Sequence, residues 1–336
     1  MIQTIKLQEL HTPQYRDWFG LGHHTHVLAW SEVFRDFGDW SLIVHPGIKR
    51  SFAQDYRAGQ ITVHTCWSGV QDPRVCVWPW FDAALAYTET PVPEVEPRHH
   101  YVCQNLTVRP HRTYLIDQLA KRGLLDRGRV SYGYRVEPQP NNNGRNRPPV
   151  ARWGSSVESA WIERPRDQYQ LPNPVDIPAP PLRVWSETAF NIITETHHDP
   201  GTQPGVLWTE KTWQAVWLRR PVIVCGQPGA NHEFAALGFR LMEGIEDWSW
   251  DHARKPDKRI RGLANAVEHI TGKYTPAEIQ EMNRAVVEHN RAHLIELFLN
   301  TGLPEILSTT PRTDSPGAEG VCEYLVDVHH AIRSQL

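Results

Sequence analysis

No apolar run in the sequence approaches the roughly 20 residues that a membrane-spanning helix needs. The first residues, MIQTIKLQEL, lack the basic-then-apolar pattern of a secretory leader. Both absences lead us to expect a soluble protein of the cytoplasm with no membrane partner. Cysteine is also scarce. Cys66, Cys76, Cys103, Cys225 and Cys322 are dispersed, odd in number, and form neither a CxxC pair nor a Cys/His zinc spacing. They read as reduced, mostly buried thiols, which excludes a disulfide scaffold and leaves the Asn105-Leu106-Thr107 sequon without meaning. Strong net charge is missing too: the formal value is -3, which makes no global case for a polyanionic partner. No internal repeat appears.

What is present points to two domains. A chain of 336 residues exceeds one ordinary core. Charge is unevenly spread along it. Residues 98–166 hold 13 Lys/Arg against 5 Asp/Glu, a local net of +8, whereas residues 1–97 hold 7 against 11, a net of -4. The basic segment suits a polyanion or a diphosphate, or is a solvated surface with scattered arginines. Tryptophan is abundant, at 14 residues. Trp78, Trp80, Trp213 and Trp217 sit in strand-like or helical contexts where core packing is the default, and stacking on a sugar or base is the alternative.

Pattern divides the chain near residues 86–98, a Pro- and Glu-rich stretch. Before it, WFGLGHHTHVLAW (18–30) reads as a glycine loop leading into a helix, and WSLIV (40–44), ITVHTCW (61–67) and RVCVWPWF (74–81) read as strands. After it, HHYVCQNL (99–106) predicts a strand, TYLIDQLAKRGLL (113–125) a helix, and RVSYGY (129–134) a strand. Residues 136–182 are rich in Pro, Asn and Arg and lack periodicity, so a long loop is expected there. The strand FNIIT, the helix TEKTWQAVWLRR, the strand PVIVCG (221–226) and an edge segment FRLME follow in alternation, which implies a parallel sheet covered by helices. Helices are predicted over 258–271 and 276–299. Val321, Tyr324, Leu325, Val328 and Ile332 share one face of a C-terminal helix.

The densest chemistry lies at Thr209-Glu210-Lys211. Thr209 suits an N-cap, while Trp213, Val216 and Trp217 form the buried stripe. That leaves Glu210 and Lys211 in the first turn, off the buried face, where free N–H groups and the dipole favour an anion. Lysine can hold a phosphate and glutamate a ribose diol, although glutamate also suits a helix start for stability alone. Ligands of parallel sheets gather at the carboxyl ends of the strands. Glu195, Gly226, Arg109 and Arg112 should all reach that edge.

These residues carry a resemblance. TEKTWQAVWLRRPVIVCGQPGANHEFAALGF resembles the "(S/T)EKT … PF(I/V) … G … G … LGF" block of glycosyltransferases encoded by phages and large viruses. YVCQNLTVRPHRTYLIDQLAKRGLLDRGRVSYGY is similar to their "clN … R … HR … L … gl … vSy" block. Both are distantly similar to the donor domain of α1,3-fucosyltransferases. The resemblance covers roughly residues 99–300 and implies an α/β, GT-B-like fold: two Rossmann-like domains facing across a cleft. Residues 1–97 would form the acceptor side and 98–310 the donor domain, with 311–336 a helix packing back on the first. It implies a nucleoside-diphosphate sugar as co-substrate, a UDP-sugar first, held by Arg112, Glu210 and Lys211 and then by Arg109 and Glu195. Asn105, Thr209 and Gly226 complete the expected donor set. Arg219-Arg220 departs from the pattern, which has a small residue and glycine before the strand. A viral source would place the enzyme in a host cytoplasm.

On the acceptor side, His23, His24 and His26 of GLGHHTH are candidate bases, with metal binding and a structural role as alternatives. Asp36, Asp39 and His45 are weaker candidates. His197-His198-Asp199 reads as a loop beside the donor site or as metal ligands. No DxD-like pair ends a strand, so no divalent metal is expected to be required. Arg145, Arg147, Arg152 and Trp153 are the expected acceptor contacts, for duplex DNA carrying a hydroxymethylated pyrimidine such as 5-hydroxymethylcytosine. A surface carbohydrate acceptor, or a nucleotide- or nucleic-acid-binding protein without catalysis, are the competing expectations.

Overall fold

A computed structural model describes residues 2–3, 25–28, 61–65, 68, 75–77, 79, 83, 87, 92, 95–105, 109–132, 182–196, 198, 205–300, 328 and 330–334. For 2–3, 25–28, 61–65, 75–77 and 132 the description is of backbone. The chain is α/β, and among the described residues its strands form two parallel four-stranded sheets. The first takes β1 (Ile2–Gln3), β2 (Thr25–Leu28), β3 (Ile61–Thr65) and β4 (Val75–Val77) in sequence order. The helix expected within residues 18–30 is therefore corrected at its centre. Thr25–Leu28, with β-branched Thr25 and Val27, pairs in register with Ile61–His64. The expected strand at 40–44 lies outside the described residues.

The second sheet has the order β6-β5-β7-β8, with β5 (His99–Asn105) and β7 (Thr188–Thr194) central, and β6 (Gly128–Tyr132) and β8 (Val222–Cys225) outside. Every residue of β7 and β8 is buried. This is why their sequences run apolar rather than alternate: helices cover both faces of a parallel sheet. On one face α1 (Pro110–Lys121) and α5 (Pro256–Lys273) pack with Tyr101, Leu115, Phe190, Ile223, Leu263 and Val267 in one core. An aromatic cluster accompanies α3 (Glu210–Trp217) and α4 (Ala230–Ala236): Trp213 lies 5.9 Å from Trp208, and Phe234 stacks on Phe239 at 4.5 Å. A short helix, α2 (Leu182–Ser186), leads into β7.

Two further expectations are corrected. The FRLME segment is not a strand. Asparagine side chains occupy its backbone instead. Asn290 accepts from Arg240 N at 2.7 Å and donates to Arg240 O at 2.9 Å, and Asn283 accepts from Glu243 N at 2.8 Å. Phe239 and Met242 are buried, so the apolar pattern was real while its partner was a helix. The single helix expected over 276–299 is two, α6 (Pro276–Met282) and α7 (Arg284–Leu299). Asn283 separates them and bonds Ile279 O at 2.9 Å through its own side chain. A full capping box between Thr275 and Glu278 starts α6.

The two halves touch. Ser68 Oγ accepts from Val206 N at 2.8 Å and donates to Val206 O at 3.1 Å. Trp217 Nε1 donates to Ala83 O at 2.6 Å, and the Trp217 ring meets Tyr87 edge-on at 5.1 Å. Val328 and Ile332, two of the five residues expected on one C-terminal helical face, are buried in helical conformation.

Candidate functional site

All four strands of the second sheet deliver their carboxyl ends to one edge. There β5 ends at Asn105, β7 at Thr194 and β8 at Cys225, and the helices α1, α3 and α4 begin. Thr194 Oγ1 donates to Asn105 Oδ1 at 2.7 Å, tying the two central strands together. Asn105 is fully buried, so this member of the expected donor set is a strand tie.

Basic side chains converge above these strand ends. Arg112, in the first turn of α1 and 4% exposed, donates to Thr194 O at 3.0 Å. Burial, then the neighbouring Arg109, push its pKa down to about 10, while Glu195 opposes the shift. Arg259 enters from α5. Its Nε donates to Gly226 O at 3.1 Å, and its other nitrogens bond Ala253 O, His198 O and the His198 ring. Two imidazoles lie among these guanidiniums. His111 and His198 stack at 4.9 Å with planes 6° apart, and His111 Nε2 bonds Glu195 O at 3.0 Å. Burial first, then Arg112, Arg109 and Arg259, push the His111 pKa down to about 3. Burial, Arg259 and His111 hold His198 well below the ordinary histidine range. Both rings are neutral at pH 7, so the positive charge here is that of the arginines.

Next to this cluster a polar chain fixes the start of α3. Glu195 is fully buried. It accepts from Thr209 N at 3.3 Å, from Thr212 Oγ1 at 2.5 Å and from the Thr209 hydroxyl. Thr209 occupies the N-cap position with extended backbone, but its hydroxyl turns to Glu195 and makes no cap bond. The expected side-chain cap is thus corrected: the hydroxyl is turned to donate to a buried carboxyl, and its oxygen accepts from no helix N–H group. Lys211 Nζ donates to Thr209 Oγ1 at 3.2 Å and pairs with Glu210 at 2.6 Å. Lys211 and Glu210 remain 34% and 25% exposed, so both can meet a ligand. Glu195 cannot present a free oxygen, and its place in the expected donor set changes to that of a support for Thr209, Thr212 and, through Thr209, Lys211.

Gly226 is at the edge as expected, but its tightness is internal. A Cβ there would lie 3.3 Å from Ala230 Cβ and from Val224 Cγ1. The neighbouring Gln227 is buried, and its Oε1 accepts from Leu207 N at 2.8 Å. Arg109 flanks α1 at its N-cap position. Of the proposed acceptor side, His26 falls in β2. His23, His24, Arg145, Arg147, Arg152 and Trp153 lie outside the described residues, as do Asp36, Asp39, His45, His197 and Asp199.

Sequence reading passed over Arg259, Asp251, Asn231 and His232. A signal for Arg259 existed: Arg259, Leu263, Val267 and Ile270 share one helical stripe and are all buried, so periodicity placed a charge inside. Asp251, also buried, accepts from Asn231 Nδ2 at 2.8 Å and from His232 Nδ1 at 3.1 Å. Nothing local in SWDH marks it, because its partners come from the preceding helix. Among the described residues no group of three His, Cys, Asp or Glu could hold a metal ion, and no helix is long and apolar enough to cross a membrane.

The chain matches no family model, no curated protein and no solved structure. Geometry and chemistry therefore carry the functional reading. A buried, basic edge with fixed donors, open at the half-exposed Lys211, is suited to an anion carrying more than one charge.

Proposed function

We propose that the protein is a glycosyltransferase that moves a sugar from a nucleoside-diphosphate sugar, a UDP-sugar first, to a hydroxyl acceptor. The observation that carries the reading is the convergence of Arg109, Arg112 and Arg259 on His111 at the carboxyl edge of a parallel sheet. Ligands of such sheets bind at that edge, and clustered guanidiniums suit phosphate oxygens geometrically. Lys211 lies in the first turn of α3, where a diphosphate would also meet helix N–H groups. The TEK and HR blocks that resemble viral glycosyltransferases fall on these residues. Two parallel sheets, one from each half of the chain, are compatible with a GT-B-like pair of domains and a C-terminal helix returning to the first.

The positive side chains would stabilise charge on the departing diphosphate, so transfer should proceed fully in excess EDTA. For the acceptor we propose a hydroxymethylated pyrimidine in duplex DNA, supported by the +8 charge of residues 98–166. The purified protein should be offered a panel of sugar nucleotides with and without hydroxymethylated DNA. Sugar incorporated into DNA is the expected result. Hydrolysis of a sugar nucleotide without DNA binding at low salt points to a carbohydrate acceptor, and nucleotide binding without turnover points to a binding protein.

A further inference from the structure

A second constellation lies a few residues along the same edge. β8 leads through Gly226 into α4, and Asn231 locks the first turn of α4 to that strand. Its side chain accepts from Val224 N and donates to Val224 O, both at 2.9 Å. Asn231 also donates to Asp251 Oδ1 at 2.8 Å. The other oxygen, Oδ2, takes both the backbone N–H and the Nδ1 of His232, each at 3.1 Å. Asp251 is held from a third side, since its carbonyl accepts from Gly229 N at 2.8 Å. The aspartate is 1% exposed at its side chain, whereas the His232 ring is 39% exposed. The His252 ring lies against it at 3.9 Å.

This is a histidine whose inner nitrogen is fixed by a buried carboxyl and whose outer nitrogen, Nε2, meets no described partner. An aspartate accepting from Nδ1–H selects that tautomer of the neutral ring and leaves Nε2 as a lone-pair base. The location joins it to the basic edge. Arg259 bonds Gly226 O on the loop before α4 and Ala253 O on the loop after His252. One guanidinium therefore clamps both segments that carry the dyad, next to the His198–His111 pair.

We propose that His232 is the general base of the transfer reaction, with Asp251 its positioning residue. The inference rests on the glycosyltransferase reading. Nε2 takes the proton of the acceptor hydroxyl as its oxygen bonds the anomeric carbon. The bond from that carbon to the diphosphate oxygen breaks, and its electron pair leaves with the nucleoside diphosphate. The imidazolium, stabilised by Asp251, then returns the proton to solvent. A purely structural His232 would only help close the first turn of α4, and its loss would change stability rather than turnover.

Two measurements on the full chain test this. The first is the tautomer of His232, read from ring nitrogen shifts in histidine-labelled protein, with His232→Gln to assign the signal. The neutral ring should be Nδ1–H. An Nε2–H ring overturns the dyad. The second compares kcat for transfer and the affinity for UDP in the wild type and in His232→Gln. General-base loss should lower kcat by about 100-fold or more and leave UDP affinity within about twofold. Wild-type turnover in the variant, or a fall matched by lost UDP affinity, overturns the proposal. If the wild type neither binds UDP nor turns over any sugar nucleotide, the glycosyltransferase reading fails, and with it the role of His232 as its base; an Nδ1–H ring would then preserve only the dyad.

Discussion

Arginines are buried at both ends of the second sheet, and they are buried differently. At the amino end Arg220 donates from Nε to Asn191 Oδ1 at 3.3 Å and from a terminal nitrogen to Thr188 O and Thr188 Oγ1. Burial alone pushes its pKa down to about 10. At the carboxyl end Arg112 reaches about the same value, but there a second arginine adds to the effect of burial. Arg220 is a clamp, satisfied by neutral partners on the strand beside it. Arg112 stands beside a second arginine at the strand ends, and the Glu195 carboxyl opposes part of the effect. Burial alone does not distinguish the two arginines; the charged neighbours do.

Substituting the two arginines should have unequal effects on stability. Arg220→Met should cost the most, about 3–5 kcal/mol, because it strips partners from buried polar groups. Arg112→Met loses the bond to Thr194 O and the attraction of Glu195 but relieves repulsion from Arg109, and should cost less, about 1–3 kcal/mol. Urea unfolding of both variants checks the order. Equal losses would make the carboxyl edge another structural clamp.

Next in size is a pH effect confined to that edge. The folded His111 pKa of about 3 lies below the unfolded value of 6.5. Between those values the unfolded chain binds the proton and the native one does not. The stabilisation is therefore complete above pH 6.5 and is lost as pH falls toward 3. From pH 6.5 to 5 this amounts to about 2 kcal/mol for His111. His198 acts in the same direction. Unfolding free energies at those two pH values should differ accordingly, and His111→Gln should flatten the dependence.

The smallest expected effect lies just before β8. Arg219 adopts φ +52, a left-handed conformation that favours glycine. Its ion pair with Glu288 at 2.8 Å joins two side chains that are 43% and 57% exposed. Relief of about 1 kcal/mol of strain outweighs a surface pair of about 0.5 kcal/mol. Arg219→Gly should raise stability by roughly 0.5 kcal/mol. A loss of stability would show that the pair, not the strain, dominates.

The parts legible in sequence were those built from local pattern. Apolar runs gave β5, β7 and β8, and the Trp213-Val216-Trp217 stripe gave α3 with Glu210 and Lys211 on its outer side. The same edge placed Arg109, Arg112, Glu195 and Gly226 together. Readings failed where a distant side chain decided the outcome. The backbone of 240–243 bonds to Asn283 and Asn290 rather than to a strand, and Thr209 gives its hydroxyl to Glu195 rather than to its own helix. Nothing in the sequence pointed to the partners of Arg259 and Asp251, because Gly226 and Asn231 lie 33 and 20 residues away.

If the carboxyl-edge cations form a diphosphate site, calorimetric titration of UDP will show it. Wild type and Arg220→Met, the latter at a temperature where it is folded, should bind alike. Lys211→Ala and Arg112→Met should each weaken binding about tenfold or more, the cost of one charge-assisted contact of about 1.5–3 kcal/mol. No heat of binding in the wild type with UDP or any other nucleoside diphosphate, or an affinity unchanged by either carboxyl-edge substitution, would contradict the account.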